Sequence, residues 1–182
     1  YEFIRHLLVA ASKPFRSRRI HIGMDEAHML GLGKYLDKNG FRNRFDILSE
    51  HLARVVEISE KYGFKPIMWS DMFFRGWNGG YYAPKTQIPK DYIDAVPEGV
   101  IPVYWDYYSD SKDRYLNNLK THAQFGCETW FAGGIWCWRS LAPSNTFSIQ
   151  TMVPALEACR EMNTKHIVMT MWGDNGCECS RH

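Results

Sequence analysis

The sequence predicts an α/β fold in which helices alternate with parallel strands. Apolar residues recur at helical spacing in four segments, residues 3–12, 44–62, 112–125 and 147–162. Short apolar runs typical of buried strands lie between them, at residues 20–24, 65–69, 100–105, 129–136 and 166–171. Because the strand ends recur at intervals of roughly 30 residues or more, the pattern indicates consecutive βα units.

Local signals support the boundaries of these elements. Pro14 ends the first helix, because a proline inside a helix removes a hydrogen bond and clashes with the preceding turn. Gly63 and Gly126 follow the second and third helices, where a glycine commonly closes a helix. Either Asn145 or Ser148 is expected to cap the fourth helix. Two segments without periodicity are predicted to be long loops, residues 28–43 and 75–91.

Five parallel strands form either an open doubly wound sheet or part of a barrel. No glycine-rich phosphate turn follows any predicted strand, and the first strand leads into Asp25 and Glu26, whose charge would repel a phosphate. A complete (β/α)8 barrel has about 250 residues, so five of its eight units need roughly 160 residues. The sequence therefore predicts an incomplete TIM barrel, a single domain of five βα units over residues 1–182.

The composition excludes several functional classes. With 22 basic and 20 acidic residues and a net charge of +2, the chain has no charge excess that indicates a nucleic acid partner or an acidic membrane surface. No apolar stretch approaches the roughly 18 residues of a membrane-spanning helix. Aromatic residues make up 15% of the sequence, which requires a large core or an aromatic-lined site.

The five cysteines are interpreted as small buried hydrophobic residues in a reducing compartment. Their odd number argues against a disulfide framework. Cys177 and Cys179 lack the C-x-x-C spacing of a zinc or redox site. We therefore predict no metal and no cofactor.

Every predicted strand ends in aromatic or acidic residues. Side chains two positions apart lie on one face of a strand, which groups the residues as His21, Gly23 and Asp25; Trp69 and Asp71; Trp105 and Tyr107, with Tyr104, Asp106 and Tyr108 on the alternate face; Trp136 and Trp138; and Trp172 and Asp174. Barrels place their active sites at the carboxyl ends of the strands. Because aromatic rings pack on the apolar faces of sugars and carboxylates accept from their hydroxyls, the pattern favours a carbohydrate site.

The adjacent carboxylates Asp25 and Glu26 are the candidate catalytic pair. They follow an apolar strand and a glycine, and they open a predicted βα loop. Two carboxylates in one pocket push their pKa values apart, so one can hold a proton as an acid while the other keeps its charge. The alternative is a solvated pair that caps the next helix.

The run His-Ile-Gly-Met-Asp-Glu from His21 to Glu26 resembles the H-x-G-x-D-E signature of glycoside hydrolase family 20, the β-N-acetylhexosaminidases. Three further motifs follow in the family's order: Trp69-x-Asp71, Val103-Tyr104-Trp105-Asp106 and Trp172-Gly173-Asp174. The resemblance covers almost the whole chain and corresponds to strands 4–8 of the family's (β/α)8 barrel. The run from His21 to Leu36 is most similar to a bacterial subgroup whose members are often intracellular, which implies a cytoplasmic location.

The resemblance implies a glycosidase that removes terminal β-linked N-acetylhexosamine with retention and without an enzymic nucleophile. The 2-acetamido oxygen of the substrate attacks the anomeric carbon and forms an oxazolinium ion. Glu26 would be the general acid and then the base for water. Asp25 would orient the acetamido N–H and stabilise the cation.

The resemblance also implies a set of substrate-binding residues. The sugar and its acetamido group would be walled by Trp69, Trp105, Trp136, Trp138 and Trp172. Asp174 would bind distal hydroxyls at a position where the family often has Glu, and Asp71 would join this polar set. Tyr107, or alternatively Tyr104, would hydrogen-bond the acetamido carbonyl. His21 is either an orienting residue beside Asp25 or a core histidine.

The family's first three strands, and the arginine from them that grips the sugar hydroxyls, have no counterpart in this chain. Taken as complete, five strands would leave two open edges, so closure would need the missing barrel segment or a second copy of the chain. The expected ligand is an oligosaccharide or glycoconjugate that contains N-acetylhexosamine, with no nucleic acid and no membrane as partner.

Three alternatives stay open on the sequence alone. A retaining glycosidase with its own nucleophile would use Asp71 or Asp174, about 5–5.5 Å from the acid. A sugar-binding or incomplete fragment would show no turnover. A metal hydrolase would use Asp25, Glu26 and His28, but no second histidine lies at helical ligand spacing.

Overall fold

The computed structural model describes residues 1–78, 80–82, 87–139 and 142–174, without the side chains of residues 77 and 78. These residues divide into two compact units. The first comprises residues 1–82 and 88–102, and the second comprises residue 87 and residues 103–174. Each unit is a set of parallel strands with helices between them.

In its described residues the first unit contains two strands and five helices. They are α1 (Glu2–Ser12), β1 (Arg19–His21), α2 (Lys34–Asn39), α3 (Arg44–Lys61), β2 (Lys65–Trp69), α4 (Asp71–Asn78) and α5 (Lys90–Asp94). β1 and β2 run parallel, with Arg19 opposite Lys65 and His21 opposite Ile67. This register brings the carboxyl ends of the two strands to one edge.

Helix α3 contributes five apolar residues to the core of the first unit. Its apolar residues recur on one face, and those that are buried are Ile47, Leu48, Leu52, Val55 and Val56. The Asn43 side chain caps the helix by accepting from the Phe45 amide at 2.8 Å. At the other end Gly63 adopts φ 74° and its amide donates to the Glu60 carbonyl, which closes the helix as predicted.

The second unit contains three parallel strands. Its elements are β3 (Ile101–Trp105, which enters the unit at Val103), α6 (Lys112–His122) with a 3-10 turn (Ala123–Phe125), β4 (Trp130–Gly134), α7 (Asn145–Glu161) and β5 (His166–Thr170). β3 pairs with β4, with Val103 opposite Trp130, and β4 pairs with β5, with Gly134 opposite Thr170. The core between the strands and α6 is aromatic, since Tyr104, Tyr115, Phe131 and His122 are fully or almost fully buried.

The order of strands and main helices agrees with the sequence prediction. All five predicted strands are present, and the described neighbours pair in parallel. β1 is shorter than predicted, yet its pairing with β2 continues, because the Ile22 amide donates to the Ile67 carbonyl and the Trp69 amide donates to the Gly23 carbonyl. Parallel strands separated by helices fit part of an α/β barrel.

Both predicted long loops were wrong in part. Residues 28–43 contain α2, and residues 75–91 contain the end of α4 and the start of α5. Each of these helices has eight residues or fewer, which is too short for apolar spacing to reveal a helical period. Residues 79 and 83–86 of the second segment lie outside the described part of the chain.

Three cysteines lie in the described residues, and none of them is in a disulfide. Cys137 and Cys159 are buried and Cys127 is half-buried. Cys177 and Cys179 lie outside the described residues. Burial raises the pKa of the Cys159 thiol to about 11, so this side chain is a neutral, inert core residue.

Gly134, the last residue of β4, should not tolerate a side chain. A Cβ there would lie 2.8 Å from the rings of both Trp138 and Tyr107, closer than packed atoms approach. We expect Gly134→Ala to lower the free energy of unfolding by roughly 1–3 kcal/mol, the usual cost of overpacking. Urea denaturation measures this change in the free energy of unfolding.

Gly173→Ala is the matched control for this substitution. No atom lies within 4 Å of a Cβ added at Gly173, so only the smaller entropy of the unfolded chain changes there, as it also does at Gly134. Equal midpoints for the two variants would show that the rings do not press on the end of β4.

Candidate functional site

The turn that follows β1 has an unusual backbone. Gly23, Met24 and Glu26 all adopt positive φ, at 74°, 73° and 48°. Only glycine occupies this region without steric cost, so Met24 and Glu26 are held there by their surroundings. Strained residues of this kind persist only where the surrounding structure holds them, and they cluster at functional sites.

Asp71 holds the end of this turn. It lies at the start of α4, immediately beyond β2, and its side chain is 0% exposed. The Glu26 amide donates to Asp71 Oδ2 at 3.0 Å, and the Arg75 Nε donates to the same oxygen at 3.2 Å. Because Arg75 follows Asp71 by one helical turn, α4 places both groups on one face.

Arg75 also reaches the candidate acid. Its guanidinium lies 3.8 Å from Glu26 Oε1, so it bridges the Asp71 and Glu26 carboxylates. Burial raises the pKa of Asp71, while the bond from the Glu26 amide and the charge of Arg75 lower it and the charge of Asp25 raises it further. The net shift is upward. The first unit thus brings three carboxylates and one guanidinium to the ends of β1 and β2.

Asp25 and Glu26 themselves are open to solvent. The Glu26 side chain is 55% exposed, and Asp25 is exposed as well. His21 lies behind them, with its ring centroid 4.2 Å from that of Trp69 and its Nδ1 accepting from the Gly23 amide at 3.0 Å. This bond makes His21 part of the support of the turn.

His21 also lines an apolar cavity of about 700 Å³ formed by α1, β1 and α3. Although His21 is exposed, desolvation by these apolar neighbours lowers its pKa, and the charge of Asp25 opposes that shift only in part. The imidazole is therefore neutral at neutral pH, as acceptance from the Gly23 amide requires.

Four aromatic residues at the ends of β3 and β4 form one cluster in the second unit, Trp105, Tyr107, Trp136 and Trp138. The Trp105 and Tyr107 rings stack at 5.4 Å, and the Trp136 and Trp138 rings stack at 4.4 Å with 24° between their planes. The Trp136 Nε1 donates to the Tyr107 carbonyl at 2.8 Å, which ties the two pairs together. Each of the four is less than a tenth exposed, so the cluster is rigid and pre-formed.

A second buried carboxylate, Asp106, directly follows β3. It accepts from the Tyr104 hydroxyl at 3.0 Å and from the Tyr108 amide at 3.0 Å, and it lies 3.5 Å from Arg114 Nε. Burial raises its pKa, although the Tyr108 amide and Arg114 lower it in part. Tyr104 is fully buried beside His122 and Phe131. Of the two candidate acetamido-binding tyrosines, Tyr104 therefore lies in the core and Tyr107 lies in the aromatic cluster.

Trp172 and Asp174 follow β5. Trp172 is half-buried, and its carbonyl accepts from the Cys137 thiol at 3.6 Å. Asp174 is exposed and is the last residue that the structure describes.

Each unit thus brings one group of the predicted site residues together. His21, Asp25, Glu26, Trp69 and Asp71 lie at one edge of the first unit, and Trp105, Tyr107, Trp136 and Trp138 lie together in the second. The Asp71 side chain is buried against the turn, so unlike a sugar-binding carboxylate it is not open to solvent.

Neither Arg75 nor Arg114 is among the site residues predicted from the sequence, and Asp106 was predicted to lie at a strand end without a role. The Asp71-x-x-x-Arg75 spacing on a helix was the available signal for the first of them. No comparable spacing pointed to Arg114, because a loop separates it from Asp106.

Within the described residues no group of three histidine, cysteine or acidic side chains is placed to hold a metal ion. No helix in that part of the chain is long and apolar enough to cross a membrane.

Comparisons with known proteins find a distant likeness among solved structures. No protein-family model matches the chain, and no curated protein matches it. One solved structure that does match is the Streptomyces plicatus N-acetyl-beta-hexosaminidase in complex with Thio-NAglucal, at 17% sequence identity and a TM-score of 0.45. The match covers 80% of this chain and 23% of that chain. The function has to be inferred from the residues of this chain.

The pH dependence of the stability of the second unit should reflect the raised pKa of Asp106. Because its pKa is raised, the folded state binds this proton more tightly than the unfolded state. Stability is therefore lost as the pH rises from the ordinary carboxyl value of about 3.9 through the raised value. The free energy of unfolding of Asp106→Asn, relative to wild type, should shift in favour of the variant as the pH rises above about 4.

Urea denaturation at a series of pH values measures this shift. Asp113→Asn, which removes an exposed carboxylate of α6, controls for the loss of one negative charge. A relative stability of Asp106→Asn that falls over the same pH range would contradict the raised pKa.

Proposed function

We propose that this chain is the catalytic part of a glycosidase that releases terminal β-linked N-acetylhexosamine by substrate-assisted, retaining catalysis. The observation that carries the proposal is the strained His21–Glu26 turn. It carries the H-x-G-x-D-E motif and presents two adjacent carboxylates to solvent at the ends of parallel strands. Two carboxylates at strand ends suit acid catalysis beside a developing cation.

In the first step the carbonyl oxygen of the 2-acetamido group attacks the anomeric carbon of the same sugar. The bond to the leaving oxygen breaks as Glu26 donates its proton to that oxygen. The product is an oxazolinium ion, whose positive charge and N–H both face Asp25. An ionised Asp25 stabilises this charge and accepts from the N–H.

In the second step a water attacks the anomeric carbon and gives a proton to Glu26. The bond from the anomeric carbon to the acetamido oxygen breaks, which regenerates the amide and the protonated acid. Two inversions give net retention. The arrangement requires one mobile proton at Glu26 and a fixed charge at Asp25, and it requires no third carboxylate.

Aromatic side chains suit the sugar in this proposal. In the first unit, Trp69 is our candidate contact for the apolar face of a pyranose. In the second unit, the cluster of Trp105, Tyr107, Trp136 and Trp138 is our candidate contact for a sugar or its acetamido methyl, although each ring is less than a tenth exposed. Tyr107 is our candidate donor to the acetamido carbonyl, and Asp174 is our candidate acceptor from distal hydroxyls. Trp172, beside Asp174 in sequence, is a further candidate aromatic contact in the second unit. We further propose that the enzyme is bacterial, that it is located in the cytoplasm and that it acts on oligosaccharides or glycoconjugates.

An enzymic nucleophile is the second candidate mechanism, and Asp71 is poorly suited to that role. Its side chain is 0% exposed, and Oδ2 already accepts two hydrogen bonds. A nucleophile needs an open path to the anomeric carbon. Asp174 is exposed and stays a candidate for that role.

Aryl glycosides separate these possibilities. We expect release of nitrophenol from nitrophenyl N-acetyl-β-glucosaminide but not from nitrophenyl β-glucoside, which lacks the participating acetamido oxygen. The chain should be assayed alone and as part of a longer protein that supplies three further barrel strands. Equal cleavage of both glycosides would indicate an enzymic nucleophile, whereas sugar binding without release in either protein would indicate a binding module.

The loss of cleavage rate on substituting Glu26 should depend on the leaving group, whereas the loss on substituting Asp25 should not. Glu26→Gln should slow cleavage by about 10²–10⁴-fold on a chitobiose-like disaccharide, because its leaving oxygen needs a proton. The loss should be much smaller on a nitrophenyl glycoside, whose leaving group needs little protonation. Asp25→Asn should be slow on both, because the oxazolinium cation forms whatever group departs.

The cleavage step must be followed as a pre-steady-state burst, because Glu26 also activates water in the second step and steady-state rates combine both effects. Equal burst losses for Glu26→Gln on both substrates would refute its assignment as the acid.

A further inference from the structure

We propose that Asp71 and Arg75 are positioning residues for Glu26, with Asp71 holding its backbone and Arg75 its carboxylate. This inference rests on the proposed function, in which Glu26 is the general acid. It gives Asp71 a role other than sugar contact and assigns a role to Arg75. Neither residue needs to touch the substrate.

The backbone of Glu26 is left-handed, with a φ of 48°. A left-handed glutamate persists only where neighbouring groups hold it. Asp71 Oδ2 is the acceptor for the Glu26 amide, at 3.0 Å. A hydrogen bond to an ionised group is stronger than one between neutral groups, so this contact is suited to fixing the direction in which the Glu26 side chain leaves the backbone.

Arg75 is the neighbour that positions the Glu26 side chain. Its Nε donates to Asp71 Oδ2 at 3.2 Å, which fixes the plane of the guanidinium. From that anchored position its Nη2 lies 3.8 Å from Glu26 Oε1. The Glu26 side chain is 55% exposed, so without this neighbour few contacts would restrict its rotamers.

The cost of the arrangement supports a role beyond folding. Asp71 Oδ1 is buried and has no hydrogen-bond partner among the described residues. A buried carboxylate with an unpartnered oxygen lowers stability. A position that served the fold alone would favour a side chain without this penalty, whereas functional sites commonly retain such costs.

The first test needs no turnover. Hydrogen exchange followed by NMR should show a protected Glu26 amide in the wild-type chain. Protection should be lost in Asp71→Ala and kept in Asp71→Asn, whose amide oxygen can still accept. Asp94→Ala, which removes an exposed carboxylate paired with Lys90, should leave it unchanged. A wild-type amide that exchanges freely overturns the proposal.

The second test is a double-mutant cycle on the cleavage burst with the disaccharide substrate. Asp71→Ala and Arg75→Met should each slow cleavage by roughly 10- to 100-fold, the scale of a misplaced catalytic group. Asp71→Asn and Arg75→Lys should retain part of the cleavage rate that the first two substitutions remove. In the Glu26→Gln background the same substitutions should cost less than about twofold, because they act through a group that is already absent.

The outcomes separate this proposal from the proposed function. Additive losses in the cycle, or equal losses on good and poor leaving groups, overturn the positioning role while leaving Glu26 as the acid. If Glu26→Gln cleaves as fast as wild type, the proposed function fails, and the exchange measurement still decides whether Asp71 holds Glu26. Arg42→Met, which breaks an exposed ion pair with Glu50, is the control for loss of an arginine.

Discussion

The hydrogen bond from the Glu26 amide to the Asp71 carboxylate joins the ends of two neighbouring strands. It forms because β1 and β2 are parallel and in a register that brings both carboxyl ends to one edge. Three left-handed residues precede or take part in it, and the Trp69 amide closes the same turn by donating to Gly23. The exposed Glu26 therefore depends on a buried carboxylate at the start of α4.

The two units use the same kind of support beyond a strand. Asp71 follows β2 and Asp106 follows β3, both are 0% exposed, and both accept from a backbone amide in a loop. Each also lies near an arginine of a helix, Arg75 or Arg114. Burial raises the pKa of both carboxyls, so both loops are held at some cost in stability. Loops fixed by charge-assisted bonds can keep aromatic and acidic side chains in place before a ligand arrives.

The sequence predicted much of the fold because its signals are local. Helical spacing identified α3 and the stop at Gly63, and apolar runs identified all five strands. The short helices α2, α4 and α5 escaped prediction because each spans too few turns to show a period. At the site, alternation along the strands grouped Trp105 with Tyr107, and they do stack. The bond between Glu26 and Asp71 could not be predicted, since 45 positions separate the two residues and only the sheet register joins them.

The stacked pair of Trp136 and Trp138 makes part of this protein optically distinctive. Two indoles with centroids 4.4 Å apart and planes at 24° have strongly coupled electronic transitions. Held rigidly in a buried cluster, such a pair contributes a paired band of opposite signs to the circular dichroism spectrum, which separated or mobile indoles do not give. Arg139, whose guanidinium lies 5.5 Å from the centre of the Trp136 ring, places a fixed charge within reach of the same transitions. The packing at the end of β4 can therefore be followed by light, without a label and without a ligand.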